Sequence, residues 1–286
     1  MKHDIDDPLL ALDRRGLIPG PEESLVHFEE RVHLCLSLDK NFDFEGQGAS
    51  PANASLILEG TTPVTESLYG IRPEWIQMIF SNKKLAPWHG GCAWIVQSEE
   101  NASPVAFLQL RKAFYRSSQY LHLYHRRELI THELAHIGRM TFEEPKFEEI
   151  LAYRSSPSSF RRYFGPIIQS TKEVFVFFVV LLLTLLLNIA FIDHFPWILL
   201  SQLAPIGLVA LACGRLWVRQ SQFRRCLVHL RDLVNDKQRA NAIIYRLTDK
   251  EIQLFATLSA HDIKMYAEKE AQHSFRWRVI LKNWIS

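Results

Sequence analysis

The sequence has little cysteine, and what it has is scattered: Cys35, Cys92, Cys213 and Cys226 form no CxxC pair among 286 residues. That excludes a disulfide-dense secreted scaffold, and all four are expected to be reduced thiols. Excess charge is lacking too. With 33 basic and 31 acidic residues the formal net charge is only +2, too little for a basic face that displaces phosphate counterions, so no nucleic-acid partner is expected. Internal repeats and low-complexity tracts are absent. The opening MKHDIDDPLLALDRRG has neither a continuous apolar region nor a small-residue cleavage site, which excludes a secretory signal peptide and predicts a front half that stays where it is made.

What the sequence has in excess is apolar residues between Val174 and Val218. Val174 to Ile192 is an uncharged run of 19 residues, about 28 Å as a helix and close to the hydrocarbon thickness of a bilayer. Asp193 and His194 interrupt it, and Phe195 to Gly214 forms a second uncharged run, with Pro196 suited to a helix start and Pro205 and Gly207 to a kink. This pattern predicts a two-helix transmembrane hairpin over residues 173–218. Arg161, Arg162 and Lys172 precede the first run and Arg215, Arg219, Arg224 and Arg225 follow the second, whereas the turn has no Lys or Arg. The positive-inside rule then predicts a two-span membrane protein with both termini cytoplasmic.

The remaining chain divides into residues 1–168 and a helical cytoplasmic tail, 219–286. In the first part the patterning predicts a helix through SLVHFEERVHLCLSL, a loop or short strands from Asn41 to Thr65, and a helix from Arg72 to Leu85. CAWIVQ and VAFLQL read as a β-hairpin, followed by one helix over about Ser118 to Met140 and another from Pro145 to Arg154. In the tail, Thr248 and Glu251 have capping-box spacing. The closing SFRWRVILKNWIS suits either a membrane-surface helix or a packing helix.

Within the helix before Met140, residues 132–136 read HELAH, an instance of HExxH. Residues four apart share a helical face, so His132 and His136 can bind one zinc ion, while Glu133 stands beside them as general base toward an attacking water. A catalytic zinc needs a third protein ligand. Glu143 and Glu144 fall in the turn before Pro145, whereas Glu148 and Glu149 lie in the first turns of a helix able to fold back across the catalytic one. Glu149 is the preferred ligand and Glu148 the competitor. His122 and His125 read as surface residues. Tyr153, Arg154, Arg161, Arg162 and Tyr163 include candidates for donating to a tetrahedral oxyanion, although Arg161 and Arg162 are better explained as membrane-flanking charge.

HELAH followed by Glu149-Ile150-Leu151-Ala152 resembles the gluzincin class of zinc metallopeptidases, which pairs HExxH with a downstream Glu and commonly has a small residue three positions after it. Ala152 holds that place relative to Glu149, while Leu151 would hold it relative to Glu148. The likeness covers roughly Cys92 to Arg154. Two features depart from it: only 12 residues separate His136 from Glu149, and Tyr153 stands where an acid often follows the ligand. The resemblance implies an α+β zincin-like catalytic domain ahead of the hairpin and helical tail. It also implies Zn2+ on His132, His136 and Glu149, Glu133 as catalytic residue, and a polypeptide substrate, membrane-associated because the site precedes the bilayer so closely. The rival expectation is a non-catalytic membrane adaptor with a structural or vestigial zinc site, which has no need of Glu133.

Overall fold

In the computed structural model, residues 7–38, 51–97, 103–122, 124–168 and 171–286 are described. They are mostly helical, with a small mixed sheet and two long apolar helices. The chain opens with α1 (Asp7–Arg14) and α2 (Leu25–Ser37), the latter capped by Ser24, whose hydroxyl accepts from the His27 N–H. The expected loop over Asn41 to Thr65 is corrected where it is described: α3 (Pro51–Glu59) and α4 (Thr62–Tyr69) are helices, each with a proline in its first turn, where the missing N–H costs nothing. Residues 39–50 lie outside the described part.

The expected helix over Arg72 to Leu85 is also corrected, since Gln77–Phe80 is strand β1. Its apolar residues fit a helical period, but parallel pairing with a strand about 30 residues on buries Met78, Ile79 and Phe80. The predicted hairpin is present as β2 (Gly91–Gln97) and β3 (Pro104–Leu110), antiparallel with Ala93 opposite Leu108. The sheet order is β1-β3-β2, which leaves β2 at an edge. A short helix α5 (Ala113–Arg116) and a two-residue ladder, β4 (Gln119–Tyr120) with β5 (Tyr124–His125), follow. The HELAH helix α6 (Arg126–Ile137) therefore starts later than Ser118, and His122 and His125 are not on it. After it come α7 (Pro145–Tyr153), α8 (Ser159–Phe164) and a 3-10 turn, Gly165–Ile167.

The apolar helices are α9 (Thr171–Ala190) and, after a break at Gln202, α10 (Phe195–Ser201) and α11 (Leu203–Val234). The break lies three residues before Pro205, which has no N–H to offer the Ser201 carbonyl. Both arms are long and apolar enough to cross a membrane, with mean hydropathy of 2.6 and 1.8 in their most apolar windows. The Ser201 hydroxyl donates to Asn188 Oδ1 across the arms at 2.7 Å.

Beyond the apolar stretch, α11 runs on unbroken into the body of the protein, followed by α12 (Lys237–Tyr245), α13 (Asp249–Phe255), α14 (Ala260–Glu270), α15 (Phe275–Ile280) and a π turn, Leu281–Ile285. The Thr248–Glu251 capping box is present on α13. Residues 219–286 do not form a separate packing unit. Leu230, Ile243, Phe255 and Trp277 share one apolar cluster with Ala135, Phe147 and Leu151. The last segment is a packing helix, with Trp277 and Ile280 buried. Gly70 shows how closely the tail docks: its backbone is left-handed (φ +66°), and an added Cβ would meet the Trp284 ring at 2.6 Å. A second cluster joins the sheet to the other side of α6 through Leu108, Leu110, Ile130, Leu134 and Ile137. Helix α6 is thus clamped between two cores.

Candidate metal centre

Clamping α6 on two sides leaves one face free, and the histidines occupy it. His132 Nε2 and His136 Nε2 are 3.4 Å apart, close to the roughly 3.3 Å between two nitrogens bound tetrahedrally at zinc distances of about 2.0–2.1 Å. Helix α7 folds back across α6, and the two Glu149 carboxylate oxygens lie 3.7 Å from His132 Nε2 and from His136 Nε2. One donor atom from each residue lies within 4.8 Å of the others, making His132, His136 and Glu149 the triad able to hold a metal among the described residues. Two imidazoles and a carboxylate, all partly buried, are donor types that a divalent metal such as zinc accepts.

Glu148 is turned away from that triad. Its Oε1 lies 3.1 Å from His136 Nδ1, the nitrogen a metal would leave free, and its Oε2 accepts from Arg139 Nε at 2.8 Å. The adjacent carboxylates, about 100° apart on the helix, therefore have different partners. A carboxylate behind a ligating imidazole fixes its tautomer and ring orientation. Of the other acids considered, Glu143 is exposed at φ +48°, and Glu144 accepts from the Asp249 N–H. Sequence reasoning missed Glu148's position and Arg139; the spacing of Arg139 and Glu148, nine residues apart across a turn, gives no local periodic signal.

Glu133 points to the sheet side of the face. Its Oε2 accepts from the Ala93 N–H of edge strand β2 at 2.9 Å, so the carboxylate is held between α6 and the sheet edge. Beside His136 opens a cavity of about 540 Å³, walled by Ile95, Gln97, Met140, Glu143 and Glu148 among others. Tyr153 stands on the opposite flank, its ring 4.7 Å from the His132 ring and nearly perpendicular to it. The other oxyanion candidates have partners elsewhere: Arg154 donates to Asn241, Arg161 to Glu128, Arg162 to the Ser156 carbonyl, and Tyr163 lies under Arg224.

The electrostatics of the side chains concentrate positive charge on one ring. Burial, helped by the neighbouring His136 charge, pushes His132 down to about 3, so its lone pair is available. Burial would also lower His136, but the Glu148 hydrogen bond and charge, with Glu133 and Glu149, outweigh it and push His136 up to about 9. Burial raises Glu133 above the ordinary carboxylate range, opposed by His136 and the Ala93 N–H, and it raises Glu149 in the same way. Glu148 is lowered, since Arg139 and His136 overcome its burial. A metal ion taken up here would displace the Nε2 proton of His136, which makes uptake proton-linked.

Comparison with protein families, with curated proteins and with solved structures gives no match. The functional reading therefore rests on the HELAH motif and on the geometry around it.

Proposed function

We propose that the chain is a membrane-anchored zinc metallopeptidase of gluzincin type, with an α+β zincin-like domain and both termini on the cytoplasmic side. The observation that carries this reading is the convergence of His132, His136 and Glu149 donor atoms within 4.8 Å, with the Glu133 carboxylate on the next residue of the same helix. His132, His136 and Glu149 would hold the zinc. When bound, it supplies Lewis acidity that polarises a peptide carbonyl and lowers the pKa of an attacking water.

The chain's own residues do the rest. Glu133, raised by burial, takes the proton of the attacking water on a carboxylate oxygen and delivers it to the departing amine nitrogen. The Ala93 N–H keeps that carboxylate from rotating away. Glu148 keeps His136 in the tautomer that leaves Nε2 free, and Arg139 keeps Glu148 in place. Edge strand β2 borders the cavity beside His136, and an extended polypeptide would align along it. The orientation is supported by the basic residues flanking both apolar arms and their absence from the turn.

The test is Glu133→Gln in the full chain. Wild type should carry stoichiometric zinc and cleave an unfolded polypeptide in a chelator-sensitive manner. The variant should keep its zinc and lose about 10²- to 10⁴-fold in rate. Zinc without cleavage in wild type would favour the adaptor, and undiminished cleavage in Glu133→Gln would remove the peptidase assignment.

A further inference from the structure

Between the metal centre and the first apolar helix, α8 and its 3-10 turn carry an apolar edge that nothing among the described residues covers. Phe160, Phe164 and Ile168 recur every fourth residue and are 70%, 39% and 54% exposed, with the two phenylalanine rings 5.0 Å apart. The neighbouring stripe faces inward. Arg161 bonds Glu128 in the first turn of α6, and a Cβ on Gly165 would collide with the Tyr153 ring.

The height of this edge can be read along α11. Arg215, the first charge after the second apolar run, donates both to Glu173 at the start of α9 and to the Ile167 carbonyl of the 3-10 turn. The turn is thereby tied to the level at which both arms leave the apolar region. Gln220 donates to the Arg162 and Tyr163 carbonyls. It lies five residues beyond Arg215, about 7.5 Å along the helix. A headgroup layer occupies roughly 5–7 Å on each side of the hydrocarbon core, so residues 160–168 span about that layer. Trp217, 65% exposed, lies at the same level, where amphipathic rings concentrate. Lys172 beside the start of α9 and Arg219, four residues beyond Arg215, lie at this level and suit anionic headgroups.

We propose that α8 and its 3-10 turn lie in the cytoplasmic headgroup layer, with Phe160, Phe164 and Ile168 facing lipid, and so hold the metal centre at the membrane surface. This rests on the membrane and metallopeptidase readings above, and it names their substrate class: the juxtamembrane stretch of a membrane-embedded polypeptide. The linkage is short. The 3-10 turn packs on Tyr153 and Tyr153 on His132, while Arg161 reaches the turn of α6 that precedes His132. One helix diameter, about 10 Å, is covered by three to four residues of extended chain, so a substrate can leave the bilayer and reach the site directly.

The experiment places p-benzoylphenylalanine at Phe160, at Phe164 and, as a control, at Leu254 in the full chain. Leu254 is exposed, and the next residue's carbonyl is 2.8 Å from His229 Nδ1, which lies 14 residues beyond Arg215, about 21 Å along α11. In vesicles of phosphatidylcholine and phosphatidylglycerol, illumination should give phospholipid adducts from positions 160 and 164 and none from 254. Absence of lipid adducts at both would overturn the proposal, and cross-linked dimers in their place would assign the edge to a second copy of the chain. In a second arm, the double variant Phe160→Ser, Phe164→Ser should cleave a lipid-anchored peptide several-fold more slowly and the same peptide in solution at the wild-type rate. Equal rates on the anchored peptide would remove the substrate class. If wild type cleaves neither peptide, the metallopeptidase reading and the substrate class fall together, while the lipid adducts still decide where α8 lies.

Discussion

The apolar arms and the tail that follows them are both helical, and α11 belongs to both, yet their side chains meet opposite surroundings. Phe175 and Phe178 on α9 are 68% and 63% exposed, whereas Arg246 and Arg276 in the tail are 0% and 4% exposed. Depth inside the protein therefore does not follow hydropathy. The arms expose apolar groups along helices long and apolar enough to cross a membrane, a composition suited to a bilayer as solvent. The tail buries guanidinium groups because each meets carboxylates and carbonyls placed to receive it: Arg246 has Asp13 and the Tyr69 carbonyl, and Arg276 has Glu251. The tail, unlike the arms, also bonds to the helix of the candidate metal centre, where the Tyr245 hydroxyl donates to the Ala135 carbonyl.

The sharpest way to break that contrast is to remove one buried cation. Arg276 holds Glu251 at 2.6 Å, and Glu251 also accepts from Trp277 Nε1 and the Thr248 N–H. Arg276→Ala strands that carboxylate in the core and should cost about 3–5 kcal/mol, seen as a large drop in the denaturation midpoint. The pH dependence has a definite sign. Burial would raise Glu251, but Arg276 and the hydrogen bonds to it lower it below its ordinary value of 4.5. Its contribution is then fully present above the unfolded-state value and is lost as pH falls through the lower folded-state value. Wild type should lose stability on acidification below about pH 5, and Glu251→Gln should flatten that part of the profile.

How far the sequence reveals this arrangement depends on the distance between partners. HELAH is legible because its three groups sit within five residues of one helix, and the arms are legible because hydropathy is a local sum. The strand over Gln77–Phe80 is not, since Trp75, Ile76, Ile79 and Phe80 fit a helical period and the competing pairing with β3 lies 30 residues away. The tail's role is hidden for the same reason. Arg139 donates to the Tyr245 and Leu247 carbonyls, and the Tyr245 hydroxyl donates to the Ala135 carbonyl, each across more than 100 residues.

The chain of contacts from the tail through Arg139 to Glu148 gives the next prediction. Glu149→Ala removes a donor of the triad and should be isolated zinc-poor. Glu148→Ala removes only the carboxylate behind His136, so it should retain zinc at stoichiometric concentrations while binding it about 10- to 100-fold more weakly. Competition with a chromophoric chelator measures both. The reverse order would move the third ligand to Glu148.

The smallest effect expected is the most selective. Helix α7 has no cap from its own Glu144 side chain; instead Asp249, more than 100 residues on, accepts from the Lys146 and Phe147 N–H groups at 2.7 and 3.1 Å. Glu144 in return accepts from the Asp249 N–H at 3.0 Å, so the two helix starts cap one another across the fold. Asp249→Ala should cost about 0.5–2 kcal/mol, as loss of a cap does. Thr248→Ala removes the local cap of α13 and should cost a similar amount. The two differ in what they release. Asp249 holds the first turn of the helix that carries Glu148 and Glu149, so Asp249→Ala should weaken zinc binding as well as stability, whereas Thr248→Ala should lower stability alone. Equal zinc affinity in the two variants, measured with the same chelator, would mean that the tail contributes packing to the metal centre but does not position it.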